Sequence, residues 1–301
     1  MPDISVCVCT FRRPVLLKRL LEAMRQQDLP GHVELEIVVV DNAPEASAEA
    51  VVREFVTAGG SPVRYVAEPS RNISIARNTA LASATAPILA LIDDDELPSK
   101  RWLLNALNTL EETGADGVLG PVIPEYPLGA PSWLRSLAAT QRRRLTTGSR
   151  VEQRDARTGN VVLRRERIGA GPWFRPEFGR TGGEDSDFFQ RQFARGLQFV
   201  WCDEAVVSEA VPTSRWTIRY HVIREWRSGS ITGSAHRLGL GPSLSLRRMA
   251  REAIYAVVCT AAALPAVALP RSVGVRIWQK AAYSLALLLS AAGLSSAAER
   301  T

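Results

Sequence analysis

Four consecutive acids, Asp93-Asp94-Asp95-Glu96, follow directly on the apolar run Ile88–Ile92. Carboxylates this crowded repel one another unless a cation or hydrogen-bond donors offset them. An all-oxygen set suits a hard divalent ion, Mg2+ or Mn2+, and such an ion commonly carries a substrate diphosphate. The plainer reading is a solvated acidic turn ahead of a helix near Lys100–Glu112, with Ser99 or an acid as its cap. A second acidic pair, Glu184-Asp185, lies within Gly179–Gln192 (GRTGGEDSDFFQRQ), where Phe188 and Phe189 open an amphipathic helix. Capping of that helix would account for the acids. It does not account for Gly182-Gly183 directly before them, which would let backbone and substrate approach closely.

The elements that must carry these groups are legible as alternating strands and helices. Ile4–Cys9 is a β-branched strand ending in Thr10-Phe11-Arg12-Arg13, and Pro14 suits the first turn of a helix carrying Leu16, Leu17, Leu20, Leu21 and Met24. Leu35–Val40 is a second strand, ending in Asp41-Asn42. A helix over 46–58 follows, stopped by Gly59-Gly60, then a short strand Val63–Ala67. Asn72–Ala84 reads as a helix with Arg77 and Asn78 side by side, and Ile88–Ile92 is the fourth strand. The Ile88–Ile92 strand lacks alternation, so both its faces are covered, and strands alternating with helices predict a parallel, doubly wound sheet. Ligands bind such sheets outside the carboxyl ends of the strands, where Thr10, Asp41 and Asp93 fall. Further strands are expected at Asp116–Ile123, Phe199–Cys202 and Ala205–Val211, with a break at Pro121–Pro131.

The chain has 301 residues, 46% hydrophobic and 23% charged, and a net charge of +6 with a pI near 9.5. That excess favours anionic partners. Arginines concentrate at 135, 142, 143, 144, 150, 154, 157, 164, 165 and 167, either as a solvated face or against phosphates or an anionic membrane surface. No nucleic-acid motif accompanies them, so nucleic acid is not an expected partner. Four cysteines show neither zinc spacing nor a CxxC pair, which fits a reduced, cytosolic protein, and no signal peptide is expected.

The last part of the chain changes character. Ala253–Leu269 is uncharged and flanked by Arg247, Arg248, Arg251 and Arg271; Ala281–Leu294 is a second apolar segment. Both are short for a bilayer span, and arginines on both sides of the first argue against a clean crossing. Core helices or a peripheral, monotopic attachment to the cytoplasmic face of the cell membrane are the two readings, and the second is preferred.

In sequence order, VCVCTFRRP, VVVDN, NISIARNTAL, LIDDDE and GGEDSDF resemble the motifs of family 2 glycosyltransferases. VPTSRWTIRYHVIREWRSG is similar to the bacterial exopolysaccharide branch, of succinoglycan-biosynthesis type. The resemblance covers roughly the first 230 residues. It implies an α/β GT-A fold, a Rossmann-like, mostly parallel sheet with flanking helices; the C-terminal apolar helical tail lies outside that common core. The implied organisation is a catalytic domain over 1–235, with a nucleotide-binding half at 1–123 and an acceptor half at 124–235. A basic, apolar membrane-associating tail at 236–301 follows. Thr10, Phe11 and Arg12 match the first nucleotide-contacting loop, and Asp41 the acid that bonds the base, commonly uracil. Arg77 and Asn78 match the pair near diphosphate and ribose. Asp93, Asp94 and Asp95 match the acidic motif, with Asp93 and Asp95 as metal ligands; Glu96 departs from it. Asp185 matches the catalytic base, and Glu184 its neighbour.

The implied activity is an inverting transfer of a hexose from a nucleotide-diphosphate sugar, UDP-linked by expectation, to a glycan or lipid-linked glycan acceptor, with Mn2+ or Mg2+. The chemistry is consistent with the residues: a carboxylate-held metal stabilises the leaving diphosphate, and a carboxylate on another loop takes the acceptor proton. Two rivals are a nucleotidyltransferase, whose glycine-rich, lysine-containing loop TFRRP does not supply, and a non-catalytic membrane scaffold that keeps the fold.

Overall fold

The structure is a computed structural model describing residues 1–59, 61–137, 143–241 and 243–295. Gly60 of the expected helix stop and Arg142 of the basic region lie outside the described residues. The described chain divides into two compact units: residues 1–125, 142–180 and 184–210, and residues 126–141, 181–183 and 211–301.

The first unit is built on β1 (Ile4–Thr10), β2 (Leu35–Asp41), β3 (Val63–Ala67) and β4 (Ile88–Asp93), all parallel and all where the apolar runs predict them. The absence of alternation has its expected cause. On one face Ile4, Val6 and Val8 pack with Leu17, Leu20, Leu21 and Met24 of α1 (Pro14–Arg25) and with Val52 and Phe55 of α2 (Glu49–Thr57). On the other, Cys7, Val38, Val40, Leu89 and Leu91 pack with Ala76, Ala80 and Leu81 of α3 (Ile73–Ser83). Helix α2 starts three residues later than its expected first residue. Ala46 takes a left-handed φ of 53°, which ends any helical run through it.

Beyond β4 the chain forms β5 (Glu96–Pro98), α4 (Trp102–Thr113), β6 (Gly117–Leu119) and β7 (Val122–Glu125). The single strand expected over Asp116–Ile123 is thus two strands in different sheets. Pro121 has no N–H for a ladder, and a Cβ on Gly120 would lie 2.3 Å from the Ala205 carbonyl, so the chain turns out of the large sheet there. Next come β8 (Val161–Arg164), the one-turn helix α6 (Arg165–Ile168), α7 (Glu184–Ala194), β9 (Phe199–Trp201) and β10 (Val207–Ala210). The large sheet runs β3-β2-β1-β4-β8-β6-β9, with β8 antiparallel to both neighbours; the small one runs β5-β10-β7. Strand β8 sits inside the basic region and was not expected.

The described arginines of that region are largely spent on the protein itself. Arg165 reaches the carbonyls of Leu81, Ala84 and Ala86, so a guanidinium closes the C-terminal end of α3. Arg164 bonds the carbonyls of Leu110 and Ala115, Arg167 pairs with Asp116, and Arg144 with Asp203.

The second unit holds the short α5 (Ser132–Arg135, between β7 and β8 in sequence) and the long α8 (Ile218–Arg237), α9 (Leu246–Ala261) and α10 (Arg271–Ala291). The uncharged stretch Ala253–Leu269 is not one helix. It covers the second half of α9 and a one-turn 3-10 segment, Pro265–Ala268. Among the described residues no helix is long and apolar enough to cross a membrane. Helices α8 and α10 meet at glycines four apart: a Cβ on Gly229 would lie 2.2 Å from the Tyr283 carbonyl oxygen, and one on Gly233 would lie 2.2 Å from that of Leu287. Helix propensity alone favours Ala over Gly by about 1 kcal/mol. Here the added methyl meets backbone that cannot rotate away. Gly233→Ala is therefore expected to destabilise, by about 1–3 kcal/mol in urea unfolding, against the sign that propensity gives.

Candidate active site

Parallel pairing sets the level of the site. In register Thr10 faces Asp41 and Cys9 faces Asp93, so three strands deliver their carboxyl ends to one edge. Two residues after β1 the chain reverses with a left-handed φ of 56° at Arg12, an uncommon conformation for a side chain of that size. That turn aims Arg13 at the acids. Its Nη1 lies 2.9 Å from Asp94 Oδ1 and 3.0 Å from Asp95 Oδ2. Thr10 Oγ1 donates to the other oxygen of Asp94 at 2.7 Å. Burial works against the Arg13 charge, but the two carboxylates outweigh it and hold its pKa above the ordinary value.

The four acids separate into different environments. Glu96 is buried, and its Oε2 accepts the Asp93 N–H at 3.1 Å, closing the turn from within. Asp94 is buried and its pKa is raised by that burial, with Arg13 and Thr10 opposing. Asp95 is pushed up to about 6, first by burial, then by Glu209 and Asp93, with Arg13 opposing. Asp93 is about half exposed at its side chain. Glu209, on β10, stands opposite Glu96 in register and brings a further carboxylate towards Asp95.

Asp93, Asp94, Asp95, Glu96 and Glu209 thus gather at this turn, a crowding of carboxylates that a divalent cation relieves. The donors are hard oxygens, as Mg2+ and Mn2+ require. Among the described residues no three His, Cys, Asp or Glu side chains converge as a complete protein cage. An ion held by Asp93 and Asp95 would complete its shell with diphosphate oxygens and water, as is usual for Mg2+. On these grounds the residues fit the group.

Arg77, on α3, ties the acidic turn to the second acidic loop. Its guanidinium is buried, stacked over the Phe174 ring at 5.6 Å, with Nη1 2.7 Å from Glu184 Oε1 and Nη2 3.3 Å from Asp93 Oδ1. Burial would lower its pKa, but Glu184 and Asp93, with Cys9 and Asp185 adding to them, raise it further. Glu184, Asp185 and Asp187 occupy the first turn of α7, preceded by Gly182 (φ 99°) and Gly183 (φ 96°). Such angles are strained for residues with a Cβ, so the glycines permit this entry to the helix. Glu184 turns inward to Arg77 and Asp187 to Arg175 and Arg191. Asp185 is partly exposed, its Oδ1 accepting the N–H of Ser186 at 2.7 Å.

The remaining residues named from the sequence sit as follows. Asp41 is fully buried and accepts from the N–H groups of Ala43 and Ala48 and from the Tyr65 hydroxyl. Asn78 is spent on the 173–174 loop, donating to the Phe174 carbonyl and accepting the N–H groups of Trp173 and Phe174. Arg12 points outward, stacked on Phe11 and paired with Glu45. The structure thus brings together Thr10, Asp93, Asp94, Asp95, Arg77, Glu184 and Asp185, and turns Asn78 and Arg12 to other partners. It adds Arg13, Glu209 and Asn72. The last caps α3 and also donates to the Pro176 carbonyl, while Gly179 packs against it with no room for a Cβ. Of these, Asn72 carried a sequence signal, as a cap residue at the start of a helix. Cys9 is pushed up to about 12, mainly by burial, which leaves no thiolate chemistry at this edge.

Removing Arg77 strips the matching charge from a buried carboxylate, which costs about 3–5 kcal/mol. Arg77→Ala should lose that much in chemical denaturation. The double variant Arg77→Met, Glu184→Leu should recover most of it, because replacing both partners by apolar groups removes the unmatched charge.

Comparison with known proteins shows the family and the fold. The family model described as "Glycosyl transferase family 2" matches residues 5–168. The succinoglycan biosynthesis protein ExoM of Rhizobium meliloti (strain 1021) is 38% identical over 231 residues, covering 76% of this chain and 74% of that protein. The mannosyltransferase PcManGT of Pyrobaculum calidifontis, solved with GDP-Man and Mn2+, superposes with a TM-score of 0.64 at 21% identity, over 97% of this chain and 87% of its own. S. aureus TarS 1-349 in complex with UDP does so with a TM-score of 0.53 at 16% identity, over 97% and 92%. At those identities the two structures speak for the fold, which is GT-A. The family match covers more than half of the chain, and with ExoM beside it the conclusion is plain: this chain belongs to glycosyl transferase family 2 and is a glycosyltransferase.

Proposed function

We propose that the protein transfers a hexose, with inversion, from a UDP-sugar to a hydroxyl of a growing, lipid-linked glycan at the cytoplasmic face of the membrane. The observation that carries the reading is the Arg77 bridge. It sets the half-exposed Asp93 of the acidic turn and the first turn of α7, with its partly exposed Asp185, within one guanidinium's reach. A donor-binding acid and a base-bearing helix turn are thereby held in fixed relation, as a displacement reaction needs.

Roles follow from the contacts. Asp93 and Asp95 would hold Mg2+ or Mn2+, with Arg13 orienting Asp95 and, together with Thr10, fixing Asp94 between them. When bound, that ion stabilises the charge developing on the leaving diphosphate. Asp185 accepts the proton of the acceptor hydroxyl as it attacks the anomeric carbon from the face opposite the leaving group, which inverts the centre. Glu184 does not touch the acceptor in this reading; it positions Arg77. Asn78 is likewise a positioning residue, fixing the 173–174 loop over which Arg77 lies. Phe11 and Arg12 form the exposed lip of the nucleotide loop. Asp41, matched by the resemblance to the acid that bonds the base, is fully enclosed here by three protein donors, Ala43, Ala48 and Tyr65, and would have to be uncovered to meet a base such as uracil. TarS in complex with UDP and an ExoM relative named for succinoglycan biosynthesis support the donor and acceptor classes; PcManGT with GDP-Man makes a guanosine donor the competing outcome.

A thermal-shift titration with UDP, GDP and dTDP, each with and without Mn2+, separates these. UDP is expected to raise Tm only when Mn2+ is present, and Asp95→Ala to abolish the shift. Asp185→Asn should retain the shift and lower turnover about 10²–10⁴-fold, the worth of a positioned general base. A shift with GDP alone would reassign the donor. Turnover unaffected by Asp185→Asn would remove the base assignment.

A further inference from the structure

We propose that the exposed face of α9 and the turn after it form a docking surface for an anionic lipid bilayer. Leu246, Ile254, Val257 and Val258 lie on one side of α9, and Leu264 and Val267 extend the patch beyond it. Leu246 is 88% exposed, Val257 71%, Leu264 85% and Val267 71%, far more than isolated surface apolar residues would require explanation for. The rotation of α9 is fixed from its opposite side. Glu252 is buried and accepts from Lys280 Nζ at 2.7 Å and Ser284 Oγ at 2.8 Å on α10, and Lys280 lies over the Tyr255 ring at 4.2 Å. An ion pair buried there holds the apolar side outward.

Charge selects the occupant. Residues 1–235 carry 29 Lys+Arg and 29 Asp+Glu, so the whole net charge of +6 resides beyond residue 235. Within 236–295 the one acid is the buried Glu252, against seven Lys and Arg residues. Arg247 and Arg251 are exposed along one edge of the apolar strip on α9, Arg251 also reaching Glu252 at 3.2 Å, and exposed Arg271 follows the turn. An apolar strip edged by arginines is the pattern of a helix lying in the bilayer interface: the strip enters the acyl boundary and the guanidinium groups meet anionic headgroups. A second copy of the chain is a poorer occupant, because pairing this face with itself sets like-charged arginine edges together. Since no described helix is fit to cross a membrane, the attachment is along the surface.

The inference deepens the membrane-face location proposed above, and its test uses neither donor nor acceptor, so its failure is separable from that of the catalytic reading. The full chain is sedimented with vesicles of phosphatidylcholine alone and of phosphatidylcholine with phosphatidylglycerol at 3:1. Binding at least tenfold stronger to the anionic vesicles is expected, weakening as salt rises. Val257→Glu should reduce it at least tenfold. Arg247→Gln with Arg271→Gln should bring anionic binding towards that of phosphatidylcholine. To guard against misfolding of the Glu variant, an environment-sensitive fluorophore on Val257→Cys in a Cys259→Ser background reports insertion directly, by a blue shift with anionic vesicles. No blue shift, or Val257→Glu sedimenting like the unaltered protein, overturns the proposal. A dimer by light scattering that Val257→Glu dissociates also overturns it, in favour of a second copy.

Discussion

A guanidinium buried as thoroughly as that of Arg77 is stable only if carboxylates meet it, and this requirement organises the catalytic edge. Arg77 sits on α3, Asp93 at the end of β4 and Glu184 at the start of α7. Each belongs to a different part of the chain, yet the single guanidinium must touch both acids. The stacked Phe174 excludes water from one side, which strengthens the pairing and raises the cost of disturbing it. The 173–174 loop is itself held by Asn78, one residue after Arg77 on the same helix. Alignment of the two acidic loops is thus a consequence of desolvated charge, not of loop rigidity.

The acidic turn works by the opposite means. There carboxylates crowd together: Arg13 meets oxygens of Asp94 and Asp95, and burial first, then Glu209 and Asp93, pushes Asp95 up to about 6. Burial heightens the effect by removing the water that would screen it. One edge of the sheet therefore holds a charge-matched pair of loops beside a crowded acidic turn. Charge is also divided along the chain, since the first 235 residues balance their charges and the surplus of +6 lies beyond residue 235.

Close backbone contacts do the remaining alignment. Gly120 lets the chain leave the large sheet beside Asn160, and Gly179 lies against Asn72 where α3 begins. In the second unit Gly229 and Gly233 let α10 lie against the backbone of α8. At each place a Cβ would strike backbone or, at Gly179, the hydrogen-bonded Asn72 side chain, so separation rather than conformational freedom is the reason for glycine.

The sequence by itself determined β1 to β4, α1, α3 and the identity of the acidic loops. Strands buried on both faces must be continuously apolar, and helices that cover them must repeat at helical spacing, so both are written locally. The motif order carried Asp93, Asp95, Arg77 and Asp185 to one family pattern. The tertiary structure alone decided β8, whose four residues stand among arginines that mask them, and it turned Arg164 and Arg165 from an expected surface into bonds with carbonyls. It also decided that Glu184 faces Arg77, that Asn78 fixes a loop, and that Arg13 and Glu209 belong with the acids. These are partnerships between charges and dipoles distant in sequence. Local patterns record which face of an element is apolar; which distant charge meets it depends on strand order and register, and those exist only once the sheet has formed.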